Sequence, residues 1–231
     1  MGERVVRAVA VGNRLNMAAW RDEASAQAEI ARIVGLAVPH LVPDRANLIV
    51  LGELLGLPGA LMGARAALAR RQRTVQRALT ALGAAFLPQV IAMRRRWPEI
   101  ARQRALLLAR TDALYRPLAT ALPRLAQQHH ATIVAGTAAP LVTRTTAAPT
   151  IRRWGTPGAG EVYLPAGPDV YNMAFVATPA GVIHRINKVF PTESERAALD
   201  IAAGRLEDVQ VIKTPAGRIG VAISLDAFTP A

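Results

Sequence analysis

The chain has 231 residues and is 52% hydrophobic but only 4% aromatic, so it can bury a sizeable core built from Ala, Leu and Val and is too apolar for a disordered chain. It has no cysteine, which excludes disulfides and Cys-ligated metal sites. The formal net charge is +12, yet residues 61–124 hold 13 arginines against Glu99 and Asp112, so the basicity belongs to one segment.

Residues 5–11 alternate and are Val-rich, which predicts a strand. The apolar run there is short and broken by Arg7, so it is no signal peptide, and Gly2 lacks the Ser or Thr at position 6 of a myristoylation pattern. A cytoplasmic protein is the expectation. Residues 22–38 predict a helix capped by Asp22 or Ser25, with Ile30, Ile33, Val34 and Ala37 on one face and Pro39 and Pro43 ending it. Residues 47–52 form a continuous apolar run, as in a strand buried on both faces. Strand, helix and strand in this order make a βαβ unit with parallel neighbours. Glu53 ends the second strand. It reads either as a solvated loop acid or as a general base.

Residues 60–126 are helical in character, with breaks expected near Pro88, Trp97-Pro98 and Pro117. Leu79 to Met93 is apolar except for Thr80 and Gln89, with arginines on both sides. That pattern suits helices with solvated basic faces, a cap on the core, a dimer surface, or an interfacial helix on an anionic membrane surface through residues 61–124. Nucleic acid is disfavoured, because the patch lacks interleaved aromatics. Residues 112–128 form another amphipathic helix. His129 and His130 follow it, and adjacent histidines without a third ligand argue against a metal site. Residues 132–136 are a short buried strand, and residues 138–160 read as a long loop.

Residues 172–178 and 182–188 predict a hairpin around Thr178-Pro179-Ala180-Gly181. The same four residues recur at 214–217, between residues 209–213 and an apolar strand running to Ser224 and Asp226. Lys188 ends its strand and is one of only two lysines beside 26 arginines; it reads as a surface lysine or as a compact point charge in a site. Thr192 and Glu195 have the spacing of a capping box, which competes with any catalytic role for Glu195.

Three chemically loaded strand ends thus stand in order: Glu53, Lys188 and Ser224. The chain resembles the nitrilase superfamily of carbon–nitrogen hydrolases, from residue 5 to its end. Residues 47–53 look like that family's first motif, with Gly52 in place of its usual Pro. Tyr171-Asn172 and the hairpin to Lys188 look like the second, and residues 217–226 like the nucleophile motif. Family members also carry a second Glu seven residues after the Lys, where this chain has Glu195.

The resemblance implies an α/β fold, a four-layer α-β-β-α sandwich incomplete at its C-terminus, with residues 1–231 as one partial domain and residues 60–126 as an Arg-rich helical insertion within it. It implies hydrolysis of a small-molecule amide or related C–N bond through an acyl-enzyme, in a homo-oligomer, with no cofactor and no metal. Glu53 would be the general base, Lys188 the oxyanion stabiliser, Glu195 an orienting acid and Ser224 the nucleophile.

Ser224 stands where the family has Cys, and a hydroxyl is a weaker acid that usually needs a His base. An engineered change, a natural loss or a changed mechanism would each give this residue. His184, on the same strand face as Lys188, is a minor candidate base. Only seven residues follow Ser224, where the family continues with strands that complete the sandwich, so exposed edges and dependence on a partner are expected. The alternatives are a non-catalytic relative that binds an amide or acyl ligand and a membrane-surface or assembly protein.

Overall fold

The computed structural model describes residues 5–12 and 16–228, and the reading of Gly2 lies outside them. In chain order the strands and helices are β1 (Val6–Ala10), α1 (Glu23–Gly35), β2 (Ala46–Val50), α2 (Ala67–Arg70), α3 (Val75–Ala85), α4 (Leu87–Arg96), α5 (Arg102–Ala109) and α6 (Thr111–Gln128). There follow β3 (Ala131–Ala139), β4 (Val142–Thr145), α7 (Ala148–Trp154), β5 (Val162–Pro165), β6 (Tyr171–Ala177), β7 (Ile183–Asn187), α8 (Glu193–Leu199), β8 (Ile212–Thr214) and β9 (Gly217–Ile219).

The chain is a mixed α/β protein whose main sheet has the order β1-β2-β3-β6-β7. The first three strands are parallel, as the βαβ pattern predicts, while β6 runs antiparallel to both β3 and β7. Strands β2, β3 and β7 therefore point the same way, and their carboxyl ends meet at one edge of the sheet.

One face of this sheet is covered by α1 and α6. Asp22 and Ser25 close a reciprocal capping box at the start of α1, using both of the residues proposed as caps. Ile30, Ile33 and Val34 of α1 pack with Leu118, Leu122 and Leu125 of α6 and with Ile49, Ile133 and Phe175 of the sheet. Each of these large side chains contributes roughly 1.5–3 kcal/mol by leaving water. On the other face, Val134, Val176 and Ile186 pack against Ile212 and Ile223 from the C-terminal segment. That segment pairs in a ribbon of its own, β8 with β9.

Helix α6 runs unbroken through Pro117 and Pro123, where a break was expected at Pro117. Pro117 has no N–H to give the Ala113 carbonyl one turn back. Gly59 backs onto that carbonyl so closely that a Cβ at position 59 would lie 2.2 Å from it. Tertiary packing thus accommodates a residue that local propensity would make a stop.

Residues 138–160 are not a long loop: β4 pairs antiparallel with β5, and α7 lies between them. Alternating Val142, Thr143, Arg144 and Thr145 carry the β propensity that Pro and Gly nearby obscured. Asp112 anchors the segment to α6. Its buried carboxylate accepts from Arg116 Nη2 at 2.6 Å, from Thr156 N and Oγ1 at 2.7 Å, and from Tyr163 N at 2.9 Å. A buried acid this fully hydrogen-bonded is neutralised rather than left as a penalty.

Both Thr-Pro-Ala-Gly turns form, with Gly181 at φ 77° and Gly217 at φ 109°, where a side chain would be strained. The strand after the second turn is shorter than predicted. It ends at Ile219, and Ser224 starts a 3-10 turn, Ser224–Ala227, instead of ending a strand.

Helices α2 to α5 form a second apolar cluster around Leu82, Phe86, Val90, Leu106 and Leu108. Among the described residues no single helix is long and apolar enough to cross a membrane. Helices α3 and α4 together meet the length and composition of a span, but they are bent by 83°.

Candidate functional site

The carboxyl ends of β2 and β7 deliver Glu53 and Lys188 to the same sheet edge, and the amino end of the antiparallel β6 brings Asn172 between them. Lys188 is fully buried, and its Nζ lies 2.9 Å from Glu53 Oε1 and 2.9 Å from Glu195 Oε2. Asn172 donates from one amide nitrogen to both acids, to Glu53 Oε1 at 2.6 Å and to Glu195 Oε1. Glu195 also accepts from Thr192 N at 2.7 Å and Thr192 Oγ1 at 2.9 Å, so it is the third residue of a capping box and a site carboxylate at once. The two roles that compete in the sequence are compatible, because a carboxylate has two oxygens and about four acceptor positions.

Electrostatics follow from this packing. Burial opposes charge on Lys188, but the hydrogen bonds it donates to Glu53 and Glu195 outweigh it and hold the ammonium above its ordinary 10.5. Burial likewise opposes charge on Glu195, and the bonds from Lys188, Thr192 and Asn172 hold it below its ordinary 4.5. Two of the three ammonium hydrogens are taken by these carboxylates.

Ser224 does not touch this charged cluster through any hydrogen bond among the described residues. It lines, together with Glu53, Asn172, Gly136 and Ile223, a cavity of about 120 Å³. Glu53 and Asn172 belong to both: the Glu53 side chain is 35% exposed, in contrast to the 1% of Lys188. No histidine lines this cavity; His184 borders a separate cleft with Asp208 and Gln210.

Two strained residues flank the cavity. Leu54 has φ 57° and Ser224 has φ 51°, in the left-handed region that bulky or branched residues rarely enter. Each such residue costs about 1 kcal/mol or more, and strain of this kind collects where a side chain must be presented sharply. Gly136 makes the first of these turns possible. A Cβ there would lie 2.9 Å from Leu54 N and 3.2 Å from Glu53 Cα, both backbone atoms that cannot yield. Gly136→Ala should therefore lower stability by about 1–3 kcal/mol and displace Glu53. Urea unfolding measures it, and an unchanged midpoint would contradict this packing.

Two residues of the site stand in the sequence motifs without a role assigned to them. Asn172 is fully buried and links the two acids. Asp226 accepts from Val189 N at 3.1 Å, Phe190 N at 2.7 Å and Ile223 N at 3.4 Å, and so ties the turn at Ser224 to the segment after Lys188. Among the described residues no group of three or more His, Asp and Glu is arranged to hold a metal ion.

No family model matches the chain, and no curated protein matches it. Among solved structures, the fold is similar to a carbon–nitrogen hydrolase from Helicobacter pylori G27, at 13% identity and a TM-score of 0.45, over 94% of this chain and 50% of that one. The chain thus spans half the length of that protein. The chemical reading of the site rests on its own residues.

Proposed function

We propose that this chain carries the site of a carbon–nitrogen hydrolase of the nitrilase type, acting on a nonpeptide amide or related C–N bond through an acyl-enzyme. The observation that supports this reading is the contact of buried Lys188 with Glu53 and Glu195, beside a cavity that Glu53 shares with Ser224. In this reading Glu53 takes the proton of the nucleophile at position 224 as that atom attacks the carbonyl carbon. The third N–H of Lys188 stabilises the oxyanion, where a fixed charge away from water is most effective. The C–N bond then breaks, and the amine leaves with the proton held by Glu53. Water, deprotonated by Glu53, attacks the acyl carbon and releases the acid and the nucleophile. Glu195 and Asn172 orient Lys188 and Glu53.

The serine makes turnover by this chain slow. A thiol with a pKa of about 8.5 can be activated by a carboxylate, whereas a hydroxyl needs a stronger base. The same reading takes the five-stranded sheet as one layer of the four-layer sandwich, residues 60–126 as the helical insertion, and the protein as a cytoplasmic homo-oligomer.

The direct test is Ser224→Cys mixed with p-nitrophenyl acetate and with small amides and N-carbamoyl compounds, followed by mass spectrometry of the intact chain and its peptides. An acyl adduct at residue 224, absent in Ser224→Ala, is the expected result. No adduct at that residue with any of these compounds would overturn the catalytic reading.

A further inference from the structure

A second cluster of charge lies away from Glu53 and Ser224. A cavity of about 650 Å³ opens between the start of α4, the junction of α5 and α6, and the segment at the end of α7. Arg65, Arg110, Arg152 and Arg153 line it, with the rings of Phe86 and Trp154, and among the described residues no Asp or Glu lines it. None of these arginines forms an ion pair among the described residues. The nearest acid in sequence, Asp112, has its oxygens occupied by Arg116, Thr156 and Tyr163.

Arg110 is the built part of the cavity. Its Nε donates to the Ala60 carbonyl at 3.0 Å and its Nη2 to the Met62 carbonyl at 2.7 Å, while its guanidinium carbon sits 4.1 Å from the centre of the Phe86 ring. These contacts fix the guanidinium without neutralising it. Burial pushes Arg110 down to about 10, only partly offset by Asp112, so a desolvated cation stands there without its counter-charge. Gln89 adds a further gap, because its buried Oε1 has no hydrogen-bond partner. Four cations around one hollow repel one another, and an anion relieves that cost.

We propose that this cavity binds a phosphate monoester whose organic part is flat or apolar. Guanidinium groups match phosphate oxygens in pairs, and a dianion answers more of the four charges than a carboxylate does. Phe86 and Trp154 offer surface to the organic part, and Gln89 Oε1 accepts from a hydroxyl on the ligand. The cavity shares no lining residue with that of Glu53 and Ser224, so the proposal stands independently of the hydrolase reading. It also gives two arginines of the basic segment, Arg65 and Arg110, a specific role.

The test is calorimetric titration of the whole chain with phenyl phosphate, inorganic phosphate and phenol. Phenyl phosphate should bind saturably and more tightly than inorganic phosphate, and phenol should not bind. Arg152 and Arg153 are exposed, so Arg152→Gln/Arg153→Gln leaves the core untouched. It should weaken phenyl phosphate by about tenfold or more. The charge-matched pair Arg94→Gln/Arg95→Gln, on exposed positions of α4 outside the cavity lining, should change it less than about twofold. Equal losses in the two pairs, or no saturable binding, would overturn the proposal. Vesicles carrying phosphatidic acid separate the sources: displacement of phenyl phosphate assigns the phosphate to a lipid, and lack of displacement assigns it to a soluble molecule.

Discussion

Lys188→Met should lower the stability of the chain by about 3–5 kcal/mol, the cost of breaking a buried ion pair by deleting one partner. The side chain is apolar and of similar length, so the loss comes from charge and not from a void. Glu195 would be left 9% exposed with Thr192 and Asn172 as its remaining donors, and Glu53 would keep only Asn172. Chemical denaturation at neutral pH measures the loss. A drop below about 1 kcal/mol would show that the cluster is solvated rather than buried.

The same cluster sets the pH range of the fold. Glu195 is held below 4.5, so its contribution is present above that value and is lost as pH falls through the depressed titration. Lys188 is held above 10.5, so its contribution is complete below that value and is lost as pH rises through the raised titration. The wild-type chain should therefore keep this contribution between about 4.5 and 10.5 and shed it outside, while Lys188→Met flattens the alkaline limb.

The second large effect concerns Glu53. In a Ser224→Cys background, Glu53→Gln should slow acylation by about 10²–10⁴-fold, the usual contribution of a positioned general base. Stopped-flow release of p-nitrophenol reads the rate. Because Glu53 is partly exposed and paired with Lys188 through a single oxygen, the amide variant should cost far less stability than Lys188→Met. A rate unchanged by Glu53→Gln, with acylation still at residue 224, would assign the base to another group.

Much of this site was legible because strand ends announce themselves. An apolar run closed by Glu53 and an alternating strand closed by Lys188 each break a local rule, and tertiary pairing explains both. Glu195 was legible as a cap and as a candidate site acid, and its Oε2 alone accepts from both Thr192 and Lys188. Asn172 was harder to see, since its importance lies in reaching an acid 119 positions away as well as one 23 positions away. The fate of Pro117 was also hidden, because the close packing of Gly59 against the Ala113 carbonyl cannot be read from local sequence. Likewise, Arg65 and Arg110 read as part of one basic stretch and Arg152 and Arg153 as part of a loop, while the cavity they line draws on four separate segments of the chain.

The reach of these contacts has a consequence in time. Lys188 meets Glu53 across 135 positions, and Asp226 fastens the turn at Ser224 to the amides of residues 189 and 190. Contacts so distant in sequence close late, after the local helices and the first parallel strands are in place. During synthesis from the amino end, α1 and α6 can begin to pack on the early strands while no part of the charged cluster beyond Glu53 yet exists. The charged cluster is then assembled after the scaffold that carries it. A nascent chain that stops short of residue 226 would lack the anchor that holds the turn at Ser224 to residues 189 and 190.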